Sequence, residues 1–143
     1  MIVSAKKQHI NEIVSIENNS FSKPWSISVI KQDINKDYYN NWVYIQNQKV
    51  LGYIFGRIIL DEFHLENIAV HPEYRRNKIG TKLILHVISE LIQKKIEVIL
   101  LEVGSNNFSA QKYYESIGFV NAGYRKNYYG KNIDAKLYNL YLP

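Results

Sequence analysis

Apolar residues along the chain change spacing repeatedly, and each change marks an element. Ile2 to Ala5 reads as a short strand. After it, Ile10, Ile13, Val14 and Ile16 recur at helical intervals, with Glu12 and Glu17 read as lying outside that face. Asn18-Asn19-Ser20 reads as the end of this helix. Phe21 to Ser26 is a turn with two large aromatics, and Ser26 is placed to cap a second helix from Ile27 to Ile34. Trp42 to Gln46 reads as a strand, and Asn47-Gln48 separates it from a second over Lys49 to Leu60. Within that second strand Gly52 and Gly56 mark bends or close backbone approach. Asp61-Glu62 forms a tight turn before a strand from Phe63 to Val70.

The strongest periodicity follows. Ile79, Leu83, Ile84, Val87, Ile88, Leu91 and Ile92 form one apolar stripe, with Lys82, Ser89, Glu90 and Gln93 opposite. Val98 to Val103 is a short apolar run of the kind buried on both faces of a sheet, with Glu102 out of pattern inside it. Gly104 to Asn107 are placed to cap a helix through Ile117, with Gly118 in the usual stop position. Phe119 to Asn127 and Ala135 to Leu142 then read as strands around a Tyr128 to Asp134 connection. The order is strand, two helices, three strands, helix, strand, helix, two strands. No linker or repeat divides it, so residues 1–143 are expected to form one domain.

Composition narrows the chemistry. The chain has 143 residues, 46% of them apolar and 13% aromatic, which is enough for a substantial core. It contains no cysteine, which removes disulfides, zinc-thiolate sites and a cysteine acyl-enzyme. The N-terminus reaches charge too soon for a signal peptide, and no apolar run approaches a bilayer span, so a soluble cytoplasmic protein without membrane contact is expected. The net charge of +5 suits an acidic partner, either nucleic acid or a multiply phosphorylated cofactor. His9, His64, His71 and His86 show neither paired metal spacing nor a serine elbow, and no metal is expected.

One stretch concentrates the candidate chemistry. Asn67 to Val70 is a strand end, Arg75-Arg76-Asn77-Lys78 a basic loop, and Ile79-Gly80-Thr81 a helix start. The first turn of a helix has backbone N–H groups without intrahelical partners, and the positive end of the helix dipole lies there, so the stretch forms an anion cradle. On the loop alone, an ordinary basic strand-to-helix turn stands beside that reading.

The run Asn67-Ile68-Ala69-Val70-His71-Pro72-Glu73-Tyr74-Arg75-Arg76-Asn77-Lys78-Ile79-Gly80 resembles the acetyl-CoA loop of the GNAT acetyltransferases, Gln/Arg-x-x-Gly-x-Gly/Ala. Arg75 and Gly80 match, and Lys78 stands in place of the middle glycine. If the backbone takes positive φ there, Lys78 costs ~1–2 kcal/mol relative to glycine. The element order resembles the same family over essentially the whole chain. Leu101-Glu102-Val103 with Asn107, Tyr113-Tyr114-Glu115-Ser116-Ile117-Gly118-Phe119, Phe21-x-x-Pro24-Trp25-Ser26 and Arg125-x-Asn127-Tyr128-Tyr129 are similar to signatures of its RimI branch, the ribosomal-protein-alanine N-acetyltransferases. Two departures stand out: Gly104 where arginine is common, and a shortened Gly130 to Asp134 segment.

The resemblance implies a mixed α/β GNAT fold, with a mostly antiparallel sheet of about seven strands flanked by four helices. It implies acetyl-CoA as cofactor and the N-terminus of a protein, such as a ribosomal protein, as acceptor. Glu102 is the implied general base, as a carboxylate at a strand end suits deprotonation of an α-amino group of pKa ~7.7–8.0. Tyr114 is the implied proton donor to the departing thiolate. Backbone groups of Ile68, Ala69 and Val70 would meet the pantetheine arm. Arg75, Arg76, Asn77, Lys78, Ile79, Gly80 and Thr81 would hold the phosphates. Asn107 reads equally as a cofactor contact and as a helix cap. A monomer without direct nucleic-acid contact is expected. The alternatives are a GNAT acting on a small amine or a lysine side chain, and a non-catalytic CoA- or RNA-binding module suggested by Lys78 and the basic, aromatic Tyr124 to Lys131 run.

Overall fold

The computed structural model describes residues 1–36 and 39–143. The elements run β1 (Ile2–Ser4), a 3-10 turn (Lys7–His9), α1 (Ile10–Ser20), α2 (Ile27–Ile34), β2 (Tyr39–Gln46), β3 (Lys49–Ile59) and β4 (Glu62–Val70). A second 3-10 turn (Pro72–Tyr74) leads into α3 (Ile79–Gln93), β5 (Val98–Gly104), α4 (Phe108–Ile117), β6 (Val120–Gly130) and β7 (Ile133–Tyr141). The strands form one seven-stranded sheet in the order β1-β2-β3-β4-β5-β7-β6. Every neighbouring pair is antiparallel except β4 and β5. The mixed α/β architecture expected from the sequence, a mostly antiparallel seven-stranded sheet with four helices, is the one observed.

Local chemistry explains most boundaries. The Ser26 side chain accepts from the Val29 N–H at 3.3 Å and caps α2, and Gly118 closes α4 at φ 120°. Asn47 and Gln48 both take positive φ, 52° and 65°, as a tight hairpin with primed turn geometry requires.

Some boundaries differ from the sequence reading. Asn18-Asn19-Ser20 belongs to α1, because Asn19 Nδ2 donates to the Ser15 carbonyl at 2.8 Å and Ser20 Oγ to the Ile16 carbonyl at 2.6 Å. These side chains turn back onto their own helix instead of ending it. The turn before β4 is Leu60-Asp61, with Glu62 already in the strand. β6 and β7 extend through most of the expected Tyr128 to Asp134 connection, and Asn132 at φ 64° lies in their short hairpin turn.

Two cores lie on the two faces of the sheet. One packs Ile10, Ile13, Ile16 and Ile30 of α1 and α2 against Val43, Val50, Tyr53, Phe55 and Ala69. The other packs the α3 stripe and Tyr114 of α4 against Trp42, Leu51, Ile54, Phe63 and the odd-numbered residues Ile99, Leu101 and Val103 of β5. Along β3, Val50 and Tyr53 face the first core while Leu51 and Ile54 face the second. The register explains this: Tyr44 pairs with Gly52 and Ile45 with Val50, so Leu51 is an extra residue that flips the alternation.

Both glycines singled out in β3 sit at close approaches. A Cβ on Gly52 would lie 3.1 Å from Ile79 Cγ2 and 3.3 Å from Leu83 Cδ1, so the glycine lets α3 pack closely on the strand. A Cβ on Gly56 would lie 2.1 Å from the Phe63 ring, where no side chain fits.

Candidate active site

The site begins where the sheet parts. β4 and β5 pair only through Glu62–Val98, Phe63–Ile99 and His64–Leu100. Beyond these pairs β4 stays with β3 as far as Val70, while β5 stays with β7 as far as Gly104. Leu65 to Val70 therefore present a strand edge with no partner strand, facing a wedge that opens through the sheet. A bulge sharpens the divergence: Phe55 pairs with Asn67 and Gly56 with Leu65, leaving Glu66 as the extra residue.

The wedge brings together side chains that the sheet otherwise keeps apart. Period-two alternation sends Ile99, Leu101 and Val103 into the α3/α4 core, so Glu102 points to the other face. The expectation of a strand buried on both faces is corrected: Leu100 and Glu102 are half-buried and line open clefts. Tyr114 approaches from the α4 side and is 9% exposed. Glu102 and Tyr114 nonetheless line one cleft of about 610 Å3, together with Ile68, Asn107 and Trp25. A second cleft of about 560 Å3, lined by Arg57, His64, Arg125 and Tyr128, shares Glu102, Glu66, Tyr129 and Trp25 with the first. Glu102 thus stands at the junction of two chambers.

The charges at this junction are arranged around Glu102. Arg125 Nε lies 3.2 Å from Glu102 Oε1, with the carboxylate side chain 26% exposed. Arg57 Nε lies 3.2 Å from Glu66 Oε1, and burial raises the Glu66 carboxyl above its ordinary value despite that cation. Burial, and then the Glu102 charge, raise the Tyr129 phenol. Burial, then neighbouring Tyr113 and Tyr129, hold the Tyr114 phenol well above the usual value, so it is a protonated donor throughout the neutral range.

Tyr113 and Tyr114 have separate destinations, as adjacent helix positions must. Tyr113 shares a 2.7 Å hydrogen bond with Thr81 Oγ1 at the start of α3. Tyr114 faces the cleft. Asn107 Oδ1 accepts from the Ala110 N–H at 3.2 Å, so the capping role is realised, and the residue also lines the cleft.

The loop before α3 has an unusual backbone. Arg76 and Lys78 take positive φ, 69° and 61°, on either side of Asn77. Lys78 is left-handed without being glycine, the strained state anticipated for it. The first α3 hydrogen bond runs from the Lys82 N–H to the Lys78 carbonyl at 2.9 Å, so the N–H groups before it lack partners within the helix. A Cβ on Gly80 would meet only Tyr113 Oη at 3.7 Å and Val70 Cγ2 at 3.8 Å, ordinary contacts that leave the backbone open to approach. The Arg75 side chain turns away from the loop: its Nε donates to the Val70 carbonyl at 3.1 Å and its Nη2 to Ser20 Oγ at 3.0 Å. Arg76, Asn77 and Lys78 are exposed, Ile79 and Ala69 are buried, and Ile68 and Val70 are half-buried.

One residue of the cleft wall was misread from the sequence. Glu17, expected outside, is 1% exposed. The signal was present, since Glu17 lies four residues after Ile13 and seven after Ile10 and therefore falls on their stripe. Its charge made it look external. Among the described residues no group of acidic, histidine or cysteine side chains is arranged to hold a metal ion. No helix of the described residues is long and apolar enough to cross a membrane.

The sheet thus opens between its parallel strands, with a basic loop and a helix start at one end and the side chains of Glu102 and Tyr114 lining the cleft inside. The chain matches the Acetyltransferase (GNAT) family over residues 10–119 and belongs to that family. It is an acetyl-CoA-dependent N-acetyltransferase. It is 37% identical over 114 residues to the ribosomal protein bS18-alanine N-acetyltransferase of Escherichia coli K12, a match that covers 80% of this chain and 76% of that protein. The Haemophilus ducreyi protein of the same name is 32% identical, covering 99% of this chain and all of the relative. The crystal structure of the Escherichia coli ribosomal-protein-S18-alanine N-acetyltransferase superposes with TM-score 0.93 at 32% identity, covering 99% of this chain and 93% of that one.

Proposed function

We propose that this chain acetylates the α-amino group of a protein, with the N-terminal alanine of a bS18-type ribosomal protein as acceptor. Acetyl moves directly within a ternary complex. The observation that carries this reading is the meeting of Glu102 and Tyr114 in one cleft from opposite faces of the sheet, with a second chamber beyond Glu102 for the acceptor. The names of relatives at 32–37% identity support the choice of acceptor. Residues 1–143 act as one domain, a cytoplasmic monomer that reads a polypeptide end and not nucleic acid.

The residues fit acetyl-CoA, which when bound supplies an activated thioester. Arg76, Asn77 and Lys78 with the N–H groups of Ile79, Gly80 and Thr81 hold the phosphates, where the open backbone at Gly80 permits close approach. Arg75 braces the loop through Val70 and Ser20. The unpaired edge at Ile68, Ala69 and Val70 offers backbone hydrogen bonds to the pantetheine arm, and an N–H among them steadies charge developing on the thioester oxygen. Asn107 contacts the cofactor while capping α4.

Glu102 takes the proton from the acceptor ammonium, whose ordinary pKa of ~7.7–8.0 leaves it mostly protonated at neutral pH. Tyr114, kept protonated by burial, donates its hydroxyl hydrogen to the departing sulfur in a hydrogen bond that steadies the thiolate as it forms. No serine, cysteine or histidine nucleophile is required.

The test is acetyl transfer to a peptide beginning with alanine, run beside an N-terminally blocked twin that keeps its internal lysine. Transfer to the free N-terminus alone is the expected result. Equal transfer to both peptides replaces the acceptor with lysine, and transfer to neither overturns the reading.

A further inference from the structure

Glu17 places a carboxyl group in the interior, where it is 1% exposed. Its carboxylate makes no ion pair among the described residues. Three neutral donors hold it instead. Oε1 accepts from the Tyr53 hydroxyl and from Asn67 Nδ2 at 2.7 Å, and Oε2 accepts from the Trp25 backbone N–H at 2.8 Å. A buried carboxylate is tolerated only when so surrounded, and loss of its acceptor oxygens strands the donors.

The three donors come from three elements that meet at the cleft. Tyr53 belongs to β3, Asn67 to the splayed edge of β4, and Trp25 to the turn between α1 and α2. Glu17 and Asn67 both line the chamber that contains Tyr114. The Trp25 ring packs edge-on against Phe55, with centroids 6.1 Å apart, and lines both chambers. At the two ends of the turn that bears Trp25, Phe21 donates its N–H to the Glu17 carbonyl at 3.2 Å, and Ser26 caps α2.

We propose that Glu17 is a positioning residue for the acceptor. Its carboxylate fixes the turn and sets the place of Trp25 in the wall shared by the two chambers. The proposal rests on the acetyl-transfer reading for its kinetic consequence, but its structural consequence stands without it. Glutamine has the shape of glutamate but one acceptor oxygen in place of two, and its NH2 must face one of the donors.

The experiment compares wild type, Glu17→Gln, Trp25→Ala and the double variant in the alanine-peptide assay, with backbone hydrogen exchange at Trp25 followed without any acceptor. Glu17→Gln is expected to raise the peptide KM by about fivefold or more while the acetyl-CoA Kd stays within about twofold, and in the Trp25→Ala background its effect on KM is expected to disappear. Exchange at the Trp25 amide is expected to accelerate. An unchanged peptide KM in folded Glu17→Gln, additive effects in the double variant, or unchanged exchange at Trp25 overturns the proposal. If wild type itself fails to acetylate the peptide, the functional reading fails while the exchange result still decides this one. Should Glu17→Gln not fold, Glu17→Asp, which keeps both oxygens but draws them back, is read in the same way. Failure of both to fold assigns Glu17 to stability and overturns the positioning role.

Discussion

Arg125 on β6 reaches across β7 to Glu102 on β5, with Nε 3.2 Å from Oε1, and so sets a cation at the junction of the two chambers. The pair fixes the position of the carboxylate between the two chambers. The Arg125 side chain is 56% exposed, so the pair contributes no more than about 1 kcal/mol to folding and its importance is local.

Replacement of Glu102 by glutamine removes the proposed base and leaves the cleft shape intact. The rate of transfer is expected to fall roughly 10²- to 10⁴-fold at neutral pH. The deficit narrows above pH ~9, where the acceptor amine is already neutral. Acetyl-CoA affinity is expected to hold. A pH–rate profile of variant and wild type, with a binding titration, checks all three.

Tyr114→Phe removes the proposed proton donor and is expected to slow turnover roughly 10- to 100-fold, with acetyl-CoA binding retained. The variant also has a signature in stability. Burial raises the phenols of Tyr53, Tyr114, Tyr129 and Tyr138, so above the unfolded value near ~10 the folded state holds protons that the unfolded state releases. Stability is therefore fully present below pH ~10 and falls as pH rises beyond it. Tyr114→Phe should make that fall shallower, as measured by denaturant midpoints across alkaline pH.

Lys78 holds φ 61° at the start of α3. Lys78→Gly is expected to stabilise the apoprotein by about 1 kcal/mol and to weaken acetyl-CoA binding through loss of the cation. Lys78→Ala keeps most of the backbone strain and loses the same cation. Thermal denaturation separates the two variants, while their cofactor affinities should agree.

Gly56 faces the β4 bulge, and its N–H donates to Asn41 Oδ1 at 3.3 Å. A methyl group there would lie 2.1 Å from the Phe63 ring and 2.7 Å from the His64 carbonyl. Gly56→Ala is expected to cost about 1–3 kcal/mol, because the buried ring and the strand edge must shift. The urea midpoint should fall, and activity should fall with it, since Glu66 and the wedge lie immediately beyond.

Much of the fold was legible in the chain. Helical stripes, strand alternation, the Ser26 and Asn107 caps and the Gly118 stop are local devices whose physics acts within a few residues, and α2 and α3 appear where those devices put them. The loop before α3 was legible in part: a basic turn and a helix start suggest an anion site, and Lys78 takes the left-handed backbone that the family motif raised as a condition for that position. The motifs around Glu102 and Tyr114 singled out two residues that line one cleft, without saying how they come to share it. Other features needed the folded chain. The wedge depends on β4 ending its pairing with β5 after His64 while each strand keeps its other neighbour, a relation between segments more than 30 residues apart. Only that opening lets a β5 side chain and an α4 side chain from opposite faces share a cleft. Glu17 shows the same limit: its charge placed it outside, and only donors from β3, β4 and the following turn make its burial tolerable. Local periodicity specifies elements, whereas a site assembled across strands is decided by register, bulges and the partners that tertiary packing supplies.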